Sequence, residues 1–495
     1  MRLVPLVEEL YPPPDPVETC ERFAPLPCRV FLDGARDPLR LGRHSFLAAD
    51  PQIIIRGTGH VTECADLARR RTTMVPGHAL AAARTLLAPY AAEPIAELPP
   101  FQGGFAGYVG YDWGGVLERL PRPRYDDLAI PDVLLGLYDW VISWDHAQQR
   151  AWIVSTGLPA TGVARARRAA ERLTMVKKRI SDESLPCTTG ASCHFRLRGD
   201  GESAPSFEMT DVELAAAPRL RSSFTHAAYV DAVRKVREYI LAGDIFQANL
   251  SQRLEAPLRG EPWSLYRRLR SINPAPFAAY LDFDDIIVAS ASPERFLAAT
   301  PGGMVEARPI KGTRPRGIGP EHDAALGRAL RESEKDRAEN LMIVDLLRND
   351  LSRSCTPGTV RVPELFEVEH YSTVHHLVST VVGRLEPGRD AIDLLCAAFP
   401  GGSITGAPKV RAMEIIAELE PSRRGVYCGA LGYLGTTGAL DASIVIRTYL
   451  LLRGADGARR AFFSAGGGIV ADSDPEQEYQ ETLDKARALI AALAA

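Results

Sequence analysis

The residues best suited to covalent chemistry lie in Arg308-Pro309-Ile310-Lys311-Gly312-Thr313-Arg314-Pro315-Arg316, where one amine stands among three guanidiniums. Three fixed positive neighbours disfavour a fourth. The spacing therefore predicts that the Lys311 ammonium gives up its proton more easily than a solvated one, as a nucleophilic or basic lysine requires. Two prolines stiffen the stretch, which reads as a loop, and Gly312 lets backbone N–H groups approach a ligand. The same composition suits an anion-binding loop in which Lys311 is one more cation, and this segment alone leaves both readings open. Carboxylates supply the complementary chemistry. Glu294 follows the apolar run Ile286-Ile287-Val288-Ala289-Ser290, at a strand end of the kind where reactive groups are displayed. Asp336 and Glu339 are spaced i, i+3, as are Glu478 and Glu481, so each pair shares one helix face. Either pair alone is an ordinary solvated face; brought together they form a hard-oxygen site suited to Mg2+.

The elements that must position these groups follow from periodicity. In the first 150 residues, Val30-Phe31-Leu32, Ile53-Ile54-Ile55, Val133-Leu134-Leu135 and Trp140-Val141-Ile142-Ser143-Trp144 alternate with turn residues and read as strands of a mostly antiparallel sheet. The glycine-dense run from Gly103 to Asp112 lacks the strand, loop and helix frame of a nucleotide site and reads as a close-packed strand. An Arg/Ala-rich helix is expected over 160–180. An amphipathic helix carrying Tyr229, Val233, Val236, Tyr239 and Ile240 should end at Gly243, before an alternating strand through Gln247 and Asn249. The Glu334–Arg348 and Asp474–Ala486 stretches, each with acids in its first turn, read as the helices that carry the carboxylate pairs. A polar, irregular stretch at 181–222 separates a sheet-rich region over 1–180 from a region over 223–490 that holds the reactive groups.

A chain of 495 residues suggests two to three domains of about 150 residues each. With Lys+Arg 58 against Asp+Glu 62, the net charge of -4 leaves no global basic field for nucleic acid or an anionic membrane. The N-terminal stretch acquires acids and prolines before an apolar signal core forms, and no run approaches the length of a membrane span, so a cytoplasmic protein is expected. Eight cysteines without zinc spacing read as reduced, incidental thiols.

Several motifs then occur together and in order: Gln247-Ala248-Asn249-Leu250-Ser251, Ser292-Pro293-Glu294, Pro309-Ile310-Lys311-Gly312-Thr313-Arg314, Val344-Asp345-Leu346-Leu347-Arg348-Asn349-Asp350-Leu351, His376-Leu377-Val378-Ser379, Gly401-Gly402-Ser403-Ile404-Thr405-Gly406-Ala407-Pro408-Lys409 and Ala465-Gly466-Gly467-Gly468-Ile469. This set resembles the chorismate-utilising enzymes, strongly over 223–490. The resemblance implies an α+β fold of two large antiparallel sheets packed as a sandwich with flanking helices, in which the two sequence halves interleave. It also implies Mg2+ on Glu339 and Glu481, with Asp336 and Glu478 in support, and the metal on the ring carboxylate of chorismate. Tyr427, Arg447, Lys485 and the backbone at Gly466 and Gly468 match the groups that hold the enolpyruvyl carboxylate, a task suited to guanidinium, ammonium and glycine N–H donors. His376, Thr405, Gly312 and Thr313 match residues around the ring. Without the resemblance, His376 reads as a core histidine and Arg447 equally well as a rim cation.

Two positions separate the branches of the family. Isochorismate and salicylate synthases carry a lysine where this chain has Gln247, which cannot serve as the base for water. Anthranilate synthases usually carry alanine where this chain has Lys311, and the lysine resembles that of the aminodeoxychorismate synthase branch. The implied mechanism is covalent: Lys311 attacks ring C2 while Glu294, as general acid, helps the C4 hydroxyl leave, and ammonia then enters at C4 and expels the lysine. No Gly-x-Cys-x-Gly nucleophile elbow is present, so a separate glutamine amidotransferase (glutaminase) subunit is the expected source of ammonia. Where tryptophan-regulated relatives carry Leu-Glu-Ser, this chain reads Leu32-Asp33-Gly34.

Overall fold

The computed structural model describes residues 4–34, 37, 40–181, 209–212, 219–371, 374–454 and 456–494. Among these residues the strands form one sheet of 13 and another of 12, with all pairings inside both sheets antiparallel. The sheets lie face to face. Val30, Leu281, Val288 and Leu450 of the first meet Ile54, Tyr108, Leu134 and Leu431 of the second in one apolar layer. Each outer face is covered by helices. Ile343, Leu347 and Leu394 cover the second sheet, and Leu265, Leu269 and Leu489 the first, which completes a sandwich with flanking helices.

The two halves of the chain interleave within both sheets. Arg29–Asp33 pairs with Phe277–Phe283 in the first, and Gly104–Val109 pairs with Ala430–Gly435 in the second. Gly104–Val109 is fully buried, and a Cβ on Gly107 would lie 2.0 Å from the Leu134 carbonyl oxygen, so the glycine-dense run is a close-packed strand. The strands expected around Val30, Ile53, Val133 and Trp140 are present, as is a helix over Gly162–Ser181. Most of the irregular stretch expected at 181–222 lies outside the described residues. Of the rest, Thr210–Val212 and Leu220–Ser222 pair as short strands at the edge of the first sheet.

The elements that carry the reactive groups start and stop for local reasons. His226–Leu241 is capped by Thr225, whose side chain accepts from the Ala228 N–H, and ends before Gly243 at φ +85°. Glu334–Ser352 is capped by Ser333, with Glu334 and Asp336 at the positive end of its dipole. Pro475 opens the last helix, Pro475–Ala494. Cys20, Cys64, Cys355, Cys396 and Cys428 are free thiols, as expected, whereas Cys28 is disulfide-bonded. Among the described residues no helix is long and apolar enough to cross a membrane.

Candidate active site

Lys311 lies on a strand, Ile310–Pro315, and not on a loop. The strand pairs with Val374–Arg384, and the register slips between Ile310 and Thr313, so Lys311 and Gly312 occupy a bulge. A bulge inserts one residue and re-aims its side chain. Gly312 sits at φ +85°, and a Cβ there would come within 2.9 Å of both Asp336 and Leu330, so this turn accepts glycine alone without rearrangement. The Lys311 amine donates to the Ser403 carbonyl oxygen at 3.1 Å.

The Lys311 pKa is lowered as the sequence predicts, but for a different reason. Burial is the main cause, with the Lys485 ammonium assisting, while Glu339, Glu294 and Glu481 oppose it. The three arginines play no part because each has its own acid: Arg308 pairs with Glu364 and Glu369, Arg314 with Asp336 at 2.7 Å, and Arg316 with Asp323 at 2.6 Å. A guanidinium bonded to a carboxylate presents little net charge to a third group.

Glu294 is 6 % exposed, at the corner between the strands Ile286–Ser292 and Arg295–Ala299. Burial pushes its carboxyl up to about 7, against the Ser403 hydroxyl, the Lys311 ammonium and the Ile310 N–H, all of which favour the charged form. The site thus places an amine prone to neutrality beside a carboxylic acid prone to keep its proton, with Ser403 touching both.

The two acidic helices do converge. Burial pushes the Glu339 carboxyl up, the Lys311 and Lys335 ammoniums oppose this, and Asp336 and Glu481 add to it. A Cβ on Gly467 would lie 2.8 Å from Glu478 Oε2 and 3.6 Å from Glu481 Oε1, so the last helix rests its acids on the glycine end of the strand Arg459–Ile469. The four acids are not equivalent. Asp336 is held by Arg314, Glu478 accepts from the Ser473 hydroxyl at 2.6 Å, and Glu481 pairs with Lys485 at 2.6 Å. Among the described residues no three His, Cys, Asp or Glu side chains form a ready-made metal cage. Glu339 and Glu481 come from separate helices, and both lie close enough to Lys311 to favour its charged form.

Beside them stands a cationic end, reached through the Lys485–Glu481 pair. Lys485 donates to the Gly466 carbonyl oxygen at 2.8 Å, and Arg447 donates to the Lys485 carbonyl oxygen at 2.8 Å. Arg447 sits at φ +53°, unusual for a side chain of its size, at the bend after Leu440–Ile444. Burial lowers its pKa, against the neighbouring Tyr427 and Glu481. Burial and the Arg447 guanidinium hold the His376 imidazole down at about 4, so it is neutral at pH 7; its Nδ1 lies 2.9 Å from the Thr313 hydroxyl. Thr405 is buried, its hydroxyl donating to the Gly401 carbonyl oxygen at 3.0 Å. Gln247 is buried against Gly468, where a Cβ would come within 2.0 Å of its Nε2, and its Oε1 has no hydrogen-bond partner.

One serine and two buried ion pairs were not visible from the residues alone. Ser403 links Lys311 to Glu294; the turn Gly401-Gly402-Ser403 was visible, but nothing in one sequence says which acid a serine meets. Lys409 and Asp350 form a buried pair at 2.6 Å, and Lys409 also donates to the Ala398 carbonyl oxygen at 2.8 Å, tying both ends of the Ala398–Lys409 arch to the helix that carries Glu339. Arg424 and Glu420 form a second buried pair, at 2.7 Å. Lys409 and Asp350 are 59 residues apart, a pairing that periodicity does not reveal, whereas Arg424 and Glu420 are i, i+4.

A family model described as chorismate binding enzyme matches residues 45–491. The chain belongs to that family. It is 41% identical over 473 residues to aminodeoxychorismate synthase component 1 of Salmonella typhimurium, covering 94% of each chain. It is also 43% identical over 397 residues to anthranilate synthase component 1 of Thermus thermophilus, covering 80% of this chain and 79% of the relative. Among solved structures, anthranilate synthase component I from Streptococcus pneumoniae superposes with a TM-score of 0.73 at 31% identity, over 90% of this chain and 92% of that one.

Proposed function

We propose that this enzyme is the chorismate-aminating component of an aminodeoxychorismate synthase, converting chorismate and ammonia to 4-amino-4-deoxychorismate, the precursor of 4-aminobenzoate and folate. The observation that carries the reading is the pairing of Lys311 with Glu294 across Ser403, the amine lowered and the carboxyl raised by the same burial. A neutral amine attacks ring C2 with its lone pair, the double bond shifts, and the C4 hydroxyl leaves as water with the Glu294 proton. Ammonia then bonds to C4, the double bond shifts back as the C2–N bond to Lys311 breaks, the amine leaves neutral, and the new C4 ammonium returns one proton to the Glu294 carboxylate. Relatives of that name at 38% to 44% identity support the assignment.

Glu339 and Glu481 suit Mg2+, which binds through one or two carboxylates, keeps waters and takes a substrate oxygen. When bound it would neutralise the ring carboxylate and fix its position. Tyr427, Arg447, Lys485, Gly466 and Gly468 hold the enolpyruvyl end, while His376, Thr405, Gly312, Thr313 and Gln247 line the ring. Relatives are named as a first component, and we take the second to be a glutaminase that supplies ammonia.

The 43% identity to an anthranilate synthase component supports a sibling reading, amination at C2. Incubation with chorismate, Mg2+ and ammonium salt decides between them. The proposal expects no fluorescent product until a lyase is added, and then 4-aminobenzoate; fluorescent anthranilate without the lyase overturns it.

A further inference from the structure

The ring wall, with Thr405 and Gln247, and the enolpyruvyl end, with Tyr427, come from different elements, and one buried guanidinium ties these elements together. Arg424 is 6 % exposed, and Glu420 accepts from its Nε at 2.8 Å and its Nη2 at 2.7 Å. Its remaining bonds go to backbone. Nη2 donates to the Asn249 carbonyl oxygen at 2.6 Å, and Nη1 to the Ile404 carbonyl oxygen at 3.0 Å. Both acceptors adjoin Thr405: Ile404 precedes it in the chain, and the Asn249 N–H donates to the Thr405 carbonyl oxygen at 2.7 Å. Asn249 also stands two residues from Gln247 on the strand Gln247–Pro257. Two parts of the ring wall, one on a strand and one on a turn, are thus fastened to one side chain.

The same residue reaches the enolpyruvyl end. Its carbonyl oxygen accepts from the Tyr427 N–H at 3.2 Å, and its guanidinium lies 5.8 Å from the Tyr427 ring centroid and 4.5 Å from that of Tyr111. Glu420 is braced in turn. Its Oε1 accepts from the N–H and the hydroxyl of Ser251, each at 2.8 Å, on the strand that carries Asn249. An apolar plug of the same size would avoid the desolvation that a buried ion pair costs, so stability alone does not explain the pair. A planar fork of N–H donors does what such a plug cannot, holding two carbonyl oxygens at fixed angles.

We propose that Arg424, held by Glu420, is a positioning residue for the amination: it sets the spacing between the ring wall and the enolpyruvyl end and so brings ring C2 into line with the Lys311 amine. This inference rests on the lysine mechanism proposed above. Arg447, Lys485 and Glu481 make their bonds elsewhere, so a loosened frame still takes up chorismate but presents C2 off line. Misplacement by about 1 Å costs a reaction between held groups about 10²-fold.

Two variants test this. Arg424→Lys keeps the charge but cannot span both carbonyl oxygens, and Ser251→Ala removes one bond to Glu420 while leaving the ion pair. In single turnovers with Mg2+ and saturating chorismate, ammonia withheld, intact mass gives the rate constant for adduct formation and, from the amplitude, the fraction of chains that react. Arg424→Lys should lower the rate constant by about 10²-fold and Ser251→Ala by about three- to tenfold, with chorismate Kd within about threefold of wild type. A merely structural role lowers the amplitude and the thermal midpoint but leaves the rate constant of the reacting chains unchanged; that result overturns the proposal, as does a loss confined to chorismate affinity. Should Arg424→Lys fail to fold, a wild-type rate constant in Ser251→Ala is enough to overturn it. Wild type that aminates without forming an adduct defeats the lysine mechanism instead, and the steady state with ammonium salt then decides the positioning: a lowered kcat at constant chorismate KM supports it, and an unchanged kcat overturns it.

Discussion

A carboxylic acid held near neutrality is useful only on one side of its pKa, and this makes Glu294 testable by pH. Its carboxyl, pushed up to about 7 by burial, must be protonated to act as an acid, so that contribution is present below pH 7 and lost above it. Wild-type kcat/KM should therefore fall on the basic side with a midpoint near 7. Glu294→Gln should lower kcat by about 10²- to 10⁴-fold and abolish that limb, as expected for loss of a general acid. Ser403→Ala removes a contact that lowers the same carboxyl, so the limb should move to higher pH; a limb that stays put would separate Ser403 from Glu294. At this scale the sequence named the reactive pair but misread its electrostatics. Arg308, Arg314 and Arg316 are neighbours of Lys311 along the chain, yet each turns to an acid contributed by another element. Adjacent charges in one sequence say nothing about who neutralises them.

Elements deliver these residues by two devices, one legible and one hidden. The carboxylate helices could be read because acids crowd their first turns, at the positive ends of their dipoles. The bulge at Lys311 and Gly312 could not, since register is set by the partner strand, Val374–Arg384. Glu339 and Glu481 come from separate helices, and the charge of Glu481 helps to raise the Glu339 carboxyl, which leads to a coupled outcome. Glu339→Gln and Glu481→Gln should each weaken Mg2+ and chorismate binding together by tenfold or more, measured by calorimetry with and without the other ligand. Loss of metal affinity with chorismate affinity intact would dissociate the acids from the substrate.

At the scale of the whole molecule, a break near 181–222 marks neither a fold nor a core boundary. Arg29–Asp33 and Gly104–Val109 are interior strands of sheets completed by the second half. Alternation of apolar residues showed the strands, but not that strands hundreds of residues apart pair. A fragment spanning 223–495 should thus expose open strand edges and the inner faces of both sheets, bind a hydrophobic dye and lack a cooperative thermal transition; co-expression with 1–181 should restore one. Sharp unfolding of the isolated fragment would refute this interleaved stability.

The most direct measurement concerns the amine itself. Wild type incubated with chorismate and Mg2+, with ammonia withheld, should show by intact mass one covalent ring adduct, which peptide mapping places on Lys311, and Lys311→Ala should show none. An adduct-free wild type under these conditions, or an adduct that persists in Lys311→Ala, would contradict the covalent role of the lysine.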